Sequence, residues 1–398
     1  MKRLLILCVL LLWPLGLRAQ EVGERYAELS ALTEEISGFG AVGGNRLRST
    51  GDGGEYLEWL LEDIRSARES VNIEYYWFDD DDVGKILRQE LLCKAAEGVK
   101  VRVLMDNLVT PSALESFYEK MRRGGVEVLY VHNLEKMGFF QAMGNFLGMR
   151  DHRKIVVIDN RIAYTGGVNF CHTTIYDWKD TQIRLEGPVV TSFLGIFQQE
   201  WQRAGGEALV LENFPADDDS PLLMQAFSSK PSASFERVYV QALESAQSYF
   251  YIQTPYFCPP EGILQAILDA ARRGVDVRLI IPTKCDWGFM NELTQDHFDL
   301  LLEAGVSVLL YDEVYDHTKS FVSDGYLTCI GTVNLDKRSF NINLEDGVLI
   351  YDASVAETYA ARFRELEAVS QRVQPGEHNA RGLRKVWRRF LHALSPLF

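Results

Sequence analysis

Two copies of one polar motif lie 165 residues apart in this chain. Counted from the histidine of each copy, a lysine follows at +2, an aspartate at +7, a glycine at +14, an asparagine at +17 and a carboxylate at +28. Packing alone gives no reason for such a set to recur at fixed spacing. The chain therefore carries two half-sites of one kind, namely His152, Lys154, Asp159, Gly166, Asn169 and Asp180 in the first copy and His317, Lys319, Asp324, Gly331, Asn334 and Glu345 in the second.

The segments around the two motifs repeat one order of helices and strands. Apolar residues at helical spacing over 56–68 are followed by a strand at 71–78, a helix at 83–96 and a strand at 99–105. The same order recurs over 238–281, with the first of its strands expected at 249–257. Strands that alternate with helices predict α/β layering in two similar halves, each a mixed, mostly parallel sheet flanked by helices.

The composition divides the chain into parts. Residues 1–20 carry two basic residues, an apolar run and a small-residue ending, which is typical of a secretory signal peptide, with a short membrane anchor as the alternative. The acidic stretch 213–234, which contains proline and serine, predicts a linker between a first domain at 44–212 and a second domain at 235–372. The basic segment 381–398 predicts an amphipathic helix.

Length and charge exclude some classes of protein. With 398 residues and 47% hydrophobic content, the chain can build two packed domains. Its formal net charge of −15 argues against general attraction to nucleic acid. The acidic run 80–82 opens a predicted helix, so we interpret it as a helix cap rather than a metal site.

The repeated block can perform phosphoryl transfer. A histidine and a lysine two positions apart on a strand point to the same face, so each pair offers a ring nitrogen and a positive charge to one ligand. Two such halves, together with the amides of Asn169 and Asn334, would surround one phosphate. One histidine would attack phosphorus and the other would protonate the leaving alkoxide, which requires neither a metal nor another cofactor.

The four repeated carboxylates are assigned two different roles. Asp180 and Glu345 suit the orientation of each imidazole from its far nitrogen. Asp159 and Asp324 come directly after apolar strand residues, so we assign them to structural hydrogen bonds. In a single copy, a histidine near a lysine would be an ordinary solvated strand end, but repetition of the whole set favours a catalytic site.

The chain resembles the phospholipase D superfamily, whose motif is His-x-Lys followed by Asp at the spacing of both copies. The resemblance covers about residues 44–372. Within the superfamily the chain is most similar to bacterial cardiolipin synthases, on phrases outside the minimal motif: Ile73-Glu74-Tyr75-Tyr76, Thr254-Pro255-Tyr256-Phe257, the run 331–340, and Asn343-Leu344-Glu345.

The resemblance implies a pseudo-dimer of the two halves with the active site at their seam and a catalytic set made of both His-x-Lys-Asp motifs. It implies a phosphohistidine intermediate and transfer of a phosphatidyl group between two phosphatidylglycerol molecules, with release of glycerol. By this resemblance His152 is the nucleophile and His317 the general acid, although the residues themselves do not choose. The alternatives are a phospholipase D that hydrolyses phospholipids to phosphatidic acid and, less favoured, a nuclease of the same superfamily.

The C-terminal segment predicts contact with a membrane. Apolar residues fall on one face of the predicted helix, at Leu383, Val386, Trp387, Phe390, Leu391 and Leu394. A basic amphipathic helix on an acidic protein suits an anionic lipid surface, with packing on the protein's own acidic surface as the alternative. We therefore expect phosphatidylglycerol and an anionic membrane as partners and no nucleic acid, whereas the sequence indicates no oligomeric state. The enzyme would act at the bacterial cytoplasmic membrane, either exported and peripheral on its outer face or anchored by the N-terminal segment.

Overall fold

The computed structural model describes most of the chain. The predicted signal peptide or anchor at 1–20 lies outside the described residues, which are 24–106, 115–131, 148–211, 216–217, 219–229, 235–286, 288–378, 380 and 382–395. Within these ranges no helix is both long and apolar enough to cross a membrane.

The helices, in chain order, are α1 (Ala27–Ser37), α2 (Gly53–Ser66), α3 (Asp82–Ala96), α4 (Glu115–Arg123), α5 (Val189–Arg203), α6 (Glu236–Ser245), α7 (Glu261–Arg272), α8 (Gly288–Gln295), α9 (Phe298–Ala304), α10 (Lys337–Asn341), α11 (Ala353–Val369) and α12 (Leu383–Leu394). A one-turn π-helix covers Thr173–Asp177.

The strands are β1 (Val42–Thr50), β2 (Ser70–Tyr75), β3 (Lys100–Met105), β4 (Glu127–Tyr130), β5 (Lys154–Ile158), β6 (Ile162–Gly166), β7 (Trp178–Lys179), β8 (Gln182–Glu186), β9 (Leu222–Ser228), β10 (Tyr249–Gln253), β11 (Phe257–Cys258), β12 (Asp276–Pro282), β13 (Ser307–Tyr311), β14 (Tyr315–Asp316), β15 (Ser320–Ser323), β16 (Leu327–Gly331), β17 (Leu335–Asp336), β18 (Asp346–Tyr351) and β19 (Gln371–Arg372).

Acidic residues begin several helices. The side chain of Asp52 accepts a hydrogen bond from a backbone N–H in the first turn of α2, and Asp352 does the same for α11. Asp81 accepts from the N–H of Gly84 at 3.0 Å at the start of α3. A carboxylate at this position satisfies an otherwise unpaired N–H and interacts favourably with the helix dipole. The cap predicted within the run 80–82 is therefore confirmed.

One sheet of 15 strands runs through both halves in the order β19-β13-β12-β10-β15-β16-β18-β9-β1-β8-β6-β5-β2-β3-β4. The first half contributes seven of these strands, β1, β8, β6, β5, β2, β3 and β4, and the second half contributes the other eight. The order is nearly mirrored about the junction between β9 and β1, because β10, β12, β13, β15, β16 and β18 repeat β2, β3, β4, β5, β6 and β8. Helices cover the sheet, and the predicted α/β fold in two similar halves is confirmed.

The pairing corrects one detail of the predicted sheet. Only β2-β3-β4 and β10-β12-β13 pair in parallel, and the remaining neighbours in the large sheet are antiparallel. The motif strands cause the difference. Each motif forms a hairpin, β5-β6 or β15-β16, and the strands β8 and β18 then add to it antiparallel. The sheet is mixed as expected, but it is mostly antiparallel.

The structure also corrects the predicted linker at 213–234. Residues Leu222–Ser228 form β9, whose later residues are buried, and β9 pairs with β18 on one side and with β1 on the other. An apolar run buried in the middle of a sheet stabilises the junction of the halves rather than separating them. The N-terminal α1 also crosses between halves, because Leu29 packs in the core formed by second-half residues such as Val238.

Candidate active site

Each imidazole of the two motifs pairs with a carboxylate of the other half. Nδ1 of His152 lies 2.8 Å from Oε2 of Glu345, and Nδ1 of His317 lies 2.8 Å from Oδ2 of Asp180. All four residues are buried. The sequence assigned both carboxylates to orienting the rings, and the structure shows that the pairs cross the seam. Because a carboxylate holds Nδ1, Nε2 is the ring nitrogen that can react with a substrate.

The backbone crosses the seam in the same way. The N–H of His152 donates to the carbonyl of Leu344 at 2.9 Å, and the N–H of His317 donates to the carbonyl of Lys179 at 2.7 Å. In both cases the acceptor is the residue directly before the orienting carboxylate. Each histidine is therefore fixed by two hydrogen bonds to the opposite half, so the site exists only where the halves meet.

Two buried lysines accompany the histidines. Nζ of Lys154 donates to the carbonyl of His152 at 3.0 Å, and Nζ of Lys319 donates to the carbonyl of His317. Nζ of Lys319 also lies 4.0 Å from Oδ2 of Asp180. Burial lowers the pKa of Lys154 to about 8 and the pKa of Lys319 to about 7. The charge of Lys154 adds to the shift of Lys319, so the two lysines share one electrostatic environment.

The two motif asparagines are also buried in the structure. Asn169 is 4% exposed and Asn334 is 6% exposed, and Oδ1 of each lacks a hydrogen-bond partner among the described residues. Most buried polar atoms in folded proteins are paired. An unpaired amide oxygen accepts hydrogen bonds, so these two oxygens suit a ligand hydroxyl group. The phosphate-binding role expected of the two asparagines stays a prediction.

The two orienting carboxylates have different surroundings. Glu345 accepts hydrogen bonds from Oγ1 of Thr332 at 2.6 Å and from Nδ2 of Asn343 at 3.2 Å. Burial alone would raise the pKa of Glu345, but the adjacent His152 and the hydroxyl of Thr332 lower it below its ordinary value. Burial raises the pKa of Asp180 to about 6. Glu345 is therefore the more readily ionised of the two.

Sequence analysis missed the residues that support Glu345. Thr332 lies in the second-half motif where the first half has Gly167, and a Cβ at Gly167 would lie 2.2 Å from Oδ1 of Asp180. The glycine lets the backbone approach the shorter aspartate, whereas the threonine hydroxyl reaches the longer glutamate. Comparing the two copies position by position would have shown this difference between Asp180 and Glu345.

Aromatic rings pack against both histidines and were also missed. The ring of Tyr76 meets His152 edge to face at 4.8 Å between centroids, while Trp178 and Tyr315 lie 5.1 and 5.6 Å from His317. Burial lowers the pKa of His152, and it lowers the pKa of His317 well below the ordinary value with Lys319 adding to the effect. The rings are therefore held neutral before an anion binds.

The motif aspartates lie at the hairpin turns and bind backbone amides. Both adopt left-handed backbone conformations, with φ of 50° at Asp159 and 51° at Asp324. The carboxylates accept hydrogen bonds at 2.7–2.9 Å from the N–H groups of Arg68, Glu69 and Ser70 in the first half and Gln247, Ser248 and Tyr249 in the second. These contacts agree with the structural role expected of them, since they fix each motif hairpin to the start of a neighbouring strand.

The lysine pKa values predict how substrate capture depends on pH. We expect kcat/KM for an anionic phosphodiester to fall as the pH rises through 7 and 8, because Lys319 and then Lys154 lose their charges. A pH profile of initial rates measures this decline. Lys319→Arg keeps the charge at every pH, so the fall of its kcat/KM, the alkaline limb of the profile, is expected to begin at a higher pH. An alkaline limb at the same pH in both proteins would contradict the assignment.

The C-terminal helix α12 packs on the protein's own acidic surface, which was the alternative given for its sequence. Arg384 and Arg388 bind Glu292 of α8, at 2.7 and 2.8 Å, and Leu391 is buried. The basic side chains therefore face the protein's own acidic surface. The exposed side chains of the helix include the apolar residues Leu383, Val386, Trp387 and Phe390.

A family model described as cardiolipin synthase, phospholipase D-like domain, matches residues 60–201 and 239–367, and each segment contains one motif copy. The fold and the paired half-sites thus define a member of the phospholipase D superfamily. The chain belongs to its cardiolipin synthase-like family and is an enzyme of the phosphatidyltransferase kind.

Relatives agree with this assignment, and a solved structure shares the fold. The chain is 33% identical over 363 residues to the major cardiolipin synthase ClsA of Bacillus subtilis, an alignment that spans 87% of this chain and 73% of that protein. It is 33% identical over 380 residues to cardiolipin synthase A of Pectobacterium carotovorum, spanning 90% and 78%. The fold superposes on phosphatidylserine synthase of Haemophilus influenzae with a TM-score of 0.66 at 14% identity, covering 94% of this chain and 100% of that one.

Proposed function

We propose that the protein is a cardiolipin synthase that transfers a phosphatidyl group between two phosphatidylglycerol molecules and releases glycerol. The observation that carries the proposal is the crossed pair of buried imidazoles, each held at Nδ1 by a carboxylate of the opposite half. Such a site offers one nitrogen as nucleophile and a second as acid and base to the same phosphorus. The relatives named as cardiolipin synthases support cardiolipin as the product.

The reaction takes two displacements. Before the first, the bound phosphate anion raises the pKa of His317, which takes up a proton from water at Nε2. Nε2 of His152 then forms a bond to phosphorus, the bond from phosphorus to the glycerol oxygen breaks, and His317 gives that proton to the glycerol oxygen. In the second, a hydroxyl of another phosphatidylglycerol attacks the phosphorus and gives its proton to His317, and the nitrogen–phosphorus bond breaks. Lys154 and Lys319 stabilise the charge on the remaining phosphate oxygens. No oxidant, reductant or nucleotide is consumed.

The difference between the two carboxylates supports His152 as the nucleophile. A histidine that bonds to phosphorus gains positive charge on its ring, and an ionised carboxylate at Nδ1 stabilises that charge. Glu345, whose pKa is lowered, is better suited to this task than Asp180, whose pKa burial raises to about 6. His317 then serves as the acid that releases the glycerol oxygen, as the family resemblance implies.

A mass-resolved lipid assay tests the function. Purified enzyme is incubated with phosphatidylglycerol vesicles in the presence of a chelator, beside His152→Ala and His317→Ala. Cardiolipin and glycerol that are formed by the wild type and lost in both variants would support the synthase. Phosphatidic acid as the sole lipid product would make the enzyme a hydrolase, and no turnover would redirect the search to other phosphodiesters, including nucleic acids.

We also propose that α12 inserts its exposed apolar side chains into an anionic membrane surface, with the enzyme peripheral on the bacterial cytoplasmic membrane. Trp387 and Phe390 are 48% and 53% exposed and their rings stack at 5.6 Å, and Leu383 is 88% exposed beside them. Because Arg384 and Arg388 hold the helix on α8, the apolar side chains are presented outward in a fixed orientation. Export or anchoring by residues 1–20 stays a prediction.

Replacing Trp387 and Phe390 by serine is expected to weaken binding to phosphatidylglycerol vesicles about tenfold or more, since burying each ring contributes roughly 1.5–3 kcal/mol when complete. Vesicle sedimentation measures the effect. Leu300→Ser/Val369→Ser is the matched control, because these apolar residues are also exposed but lie on other helices. Truncation before Arg381 should abolish binding, and a truncated protein that still sediments with the vesicles would refute the role of the helix.

A further inference from the structure

Two arginines from different halves lie on the segments that join beside His152. Arg150 lies two residues before it, and Arg338 lies on α10 of the second half. Nη2 of Arg338 donates to the carbonyl of Gly148 at 2.7 Å. The carbonyl of Arg150 accepts from the N–H of Leu344 at 2.8 Å. These two hydrogen bonds tie the segment before the first motif to the segment before Glu345.

The charge of Arg150 affects the pKa of Arg338, and the charges of both arginines affect the pKa of Tyr76. Burial and the charge of Arg150 lower the pKa of Arg338, against the opposing effect of Tyr76 and two nearby aspartates. Both charges act to lower the pKa of the Tyr76 hydroxyl, although burial raises it overall, and the ring of Tyr76 contacts His152. Two positive charges in one partly buried place attract an anion.

The internal repeat provides a control for this arrangement. An offset of 165 residues places Tyr315 where the first half has Arg150 and Thr173 where the second half has Arg338. Tyr315 donates its hydroxyl hydrogen to Asp286 at 3.0 Å, so the His317 side of the site has neutral and acidic groups there. The histidines, lysines and asparagines obey the repeat, and the arginines break it. The repeated histidines, lysines and asparagines suit chemistry at one central phosphate. The two arginines, which are not repeated, suit a second anion on one side of the site.

We propose that Arg150 and Arg338 bind the phosphate of the acceptor molecule, so that the site accommodates two phosphates, one between the histidines and one beside His152. The inference rests on the proposed function, in which the acceptor is a lipid with its own phosphodiester. Arginine suits this task because its planar fork forms paired hydrogen bonds to phosphate oxygens. The acceptor hydroxyl attacks phosphorus from the side of His317, so the glycerol unit of the acceptor spans the seam.

This assignment explains how an alcohol would be chosen over water. Water has no phosphate and gains nothing from the arginine pair, whereas a phosphate-bearing alcohol is held with its hydroxyl near the phosphohistidine. Holding a reactant in place raises its effective concentration at the reacting atom. The pair therefore sets the ratio of transfer to hydrolysis without taking part in bond formation.

The test compares acceptors that differ only in a phosphate. Labelled phosphatidylglycerol at low concentration is the donor, and glycerol 3-phosphate, deuterated glycerol and unlabelled phosphatidylglycerol are the acceptors. In Arg150→Gln/Arg338→Gln we expect kcat/KM for both phosphate-bearing acceptors to fall about tenfold or more, with less than about a twofold change for deuterated glycerol. Arg161→Gln, at an exposed arginine of the same half, is the control and should match the wild type.

The outcomes separate this inference from the proposed function. Equal losses for all acceptors would place the pair on the donor or on catalysis and would overturn the inference, as would no loss. A wild-type enzyme that prefers glycerol 3-phosphate over glycerol but forms no cardiolipin would refute the proposed function and uphold the phosphate site. Thermal unfolding of each variant shows whether a loss of rate reflects a loss of folded protein.

Discussion

Replacing Glu345 by Gln is expected to slow phosphatidyl transfer by about 10³-fold or more, at the same step as replacing His152, although the two residues belong to different halves. The neutral amide keeps the size of the side chain but cannot stabilise the positive charge that His152 gains on bonding to phosphorus. Asp180→Asn is expected to act instead at the step of His317, because Asp180 holds that ring. The pairing across the seam is therefore measurable, because each carboxylate variant should slow the step of the histidine in the opposite half.

A donor with an activated leaving group separates the two steps. Such a group departs without protonation, so His317→Ala and Asp180→Asn should still form the phosphohistidine enzyme and then stall. His152→Ala and Glu345→Gln should form none. The donor is labelled on phosphorus, and the enzyme-bound label is measured after quenching in mildly alkaline denaturant, because the nitrogen–phosphorus bond of phosphohistidine survives base.

Double variants provide the control for this first prediction. His152→Ala/Glu345→Gln should be no slower than His152→Ala alone, since residues that act as one unit are not additive. His152→Ala/Asp180→Asn should lose additional residual rate, because Asp180 serves the other ring. If Glu345→Gln accumulates the intermediate as His317→Ala does, the crossed assignment of function is wrong.

Arg153→Met is expected to lower the free energy of unfolding by about 3–5 kcal/mol, one of the largest losses available to a single substitution in this chain. Arg153 stands between His152 and Lys154 on the opposite face of the chain and is only 2% exposed. Its guanidinium group binds three buried carboxylates, at 2.9 Å from Asp151, 2.8 Å from Glu74 and 3.7 Å from Glu200. Methionine fills the space but leaves Asp151 and Glu74 without this cation, whereas Glu200 keeps its ion pair with Arg203 at 2.9 Å.

Thermal unfolding measures this second effect, with a drop in Tm of roughly 10 °C expected. Thr318→Val is the matched control, because Thr318 occupies the same motif position in the second half and should cost little. The deficit should shrink as the pH falls. Burial already raises the pKa of Glu74 well above its ordinary value, and loss of Arg153 would raise it further, so acid protonates the folded state first and stabilises it. A deficit below about 1 kcal/mol, or one that grows in acid, would contradict this account.

Local periodicity predicted the elements that carry the site to within a few residues. The helix expected at 83–96 is Asp82–Ala96, and the strand expected at 249–257 is Tyr249–Gln253 followed by Phe257–Cys258. The expected strand is interrupted after Gln253 because Pro255 has no N–H to donate to a sheet. The linker prediction failed at β9, because an apolar strand of seven residues lies beside polar, acidic segments that dominate the composition there.

The sequence by itself identified the residues that the fold brings together at the candidate site. Fixed spacing along a strand puts His152 and Lys154 on one face and Arg153 on the other, and a repeat of the same spacing indicates two half-sites. Such relations are covalent and local, so a sequence states them directly. The family and the two-half fold followed from the same motif.

Tertiary structure alone decided which groups serve which histidine. Glu345 lies 193 residues from His152, and its nearer alternative, Asp180, was assigned by the fold to His317. The orientation of α12, with Arg388 buried and Trp387 and Phe390 exposed, was decided by Glu292 on another helix. Both outcomes depend on which distant segments pack together, and that depends on the sum of many weak contacts across the sheet rather than on any spacing along the chain.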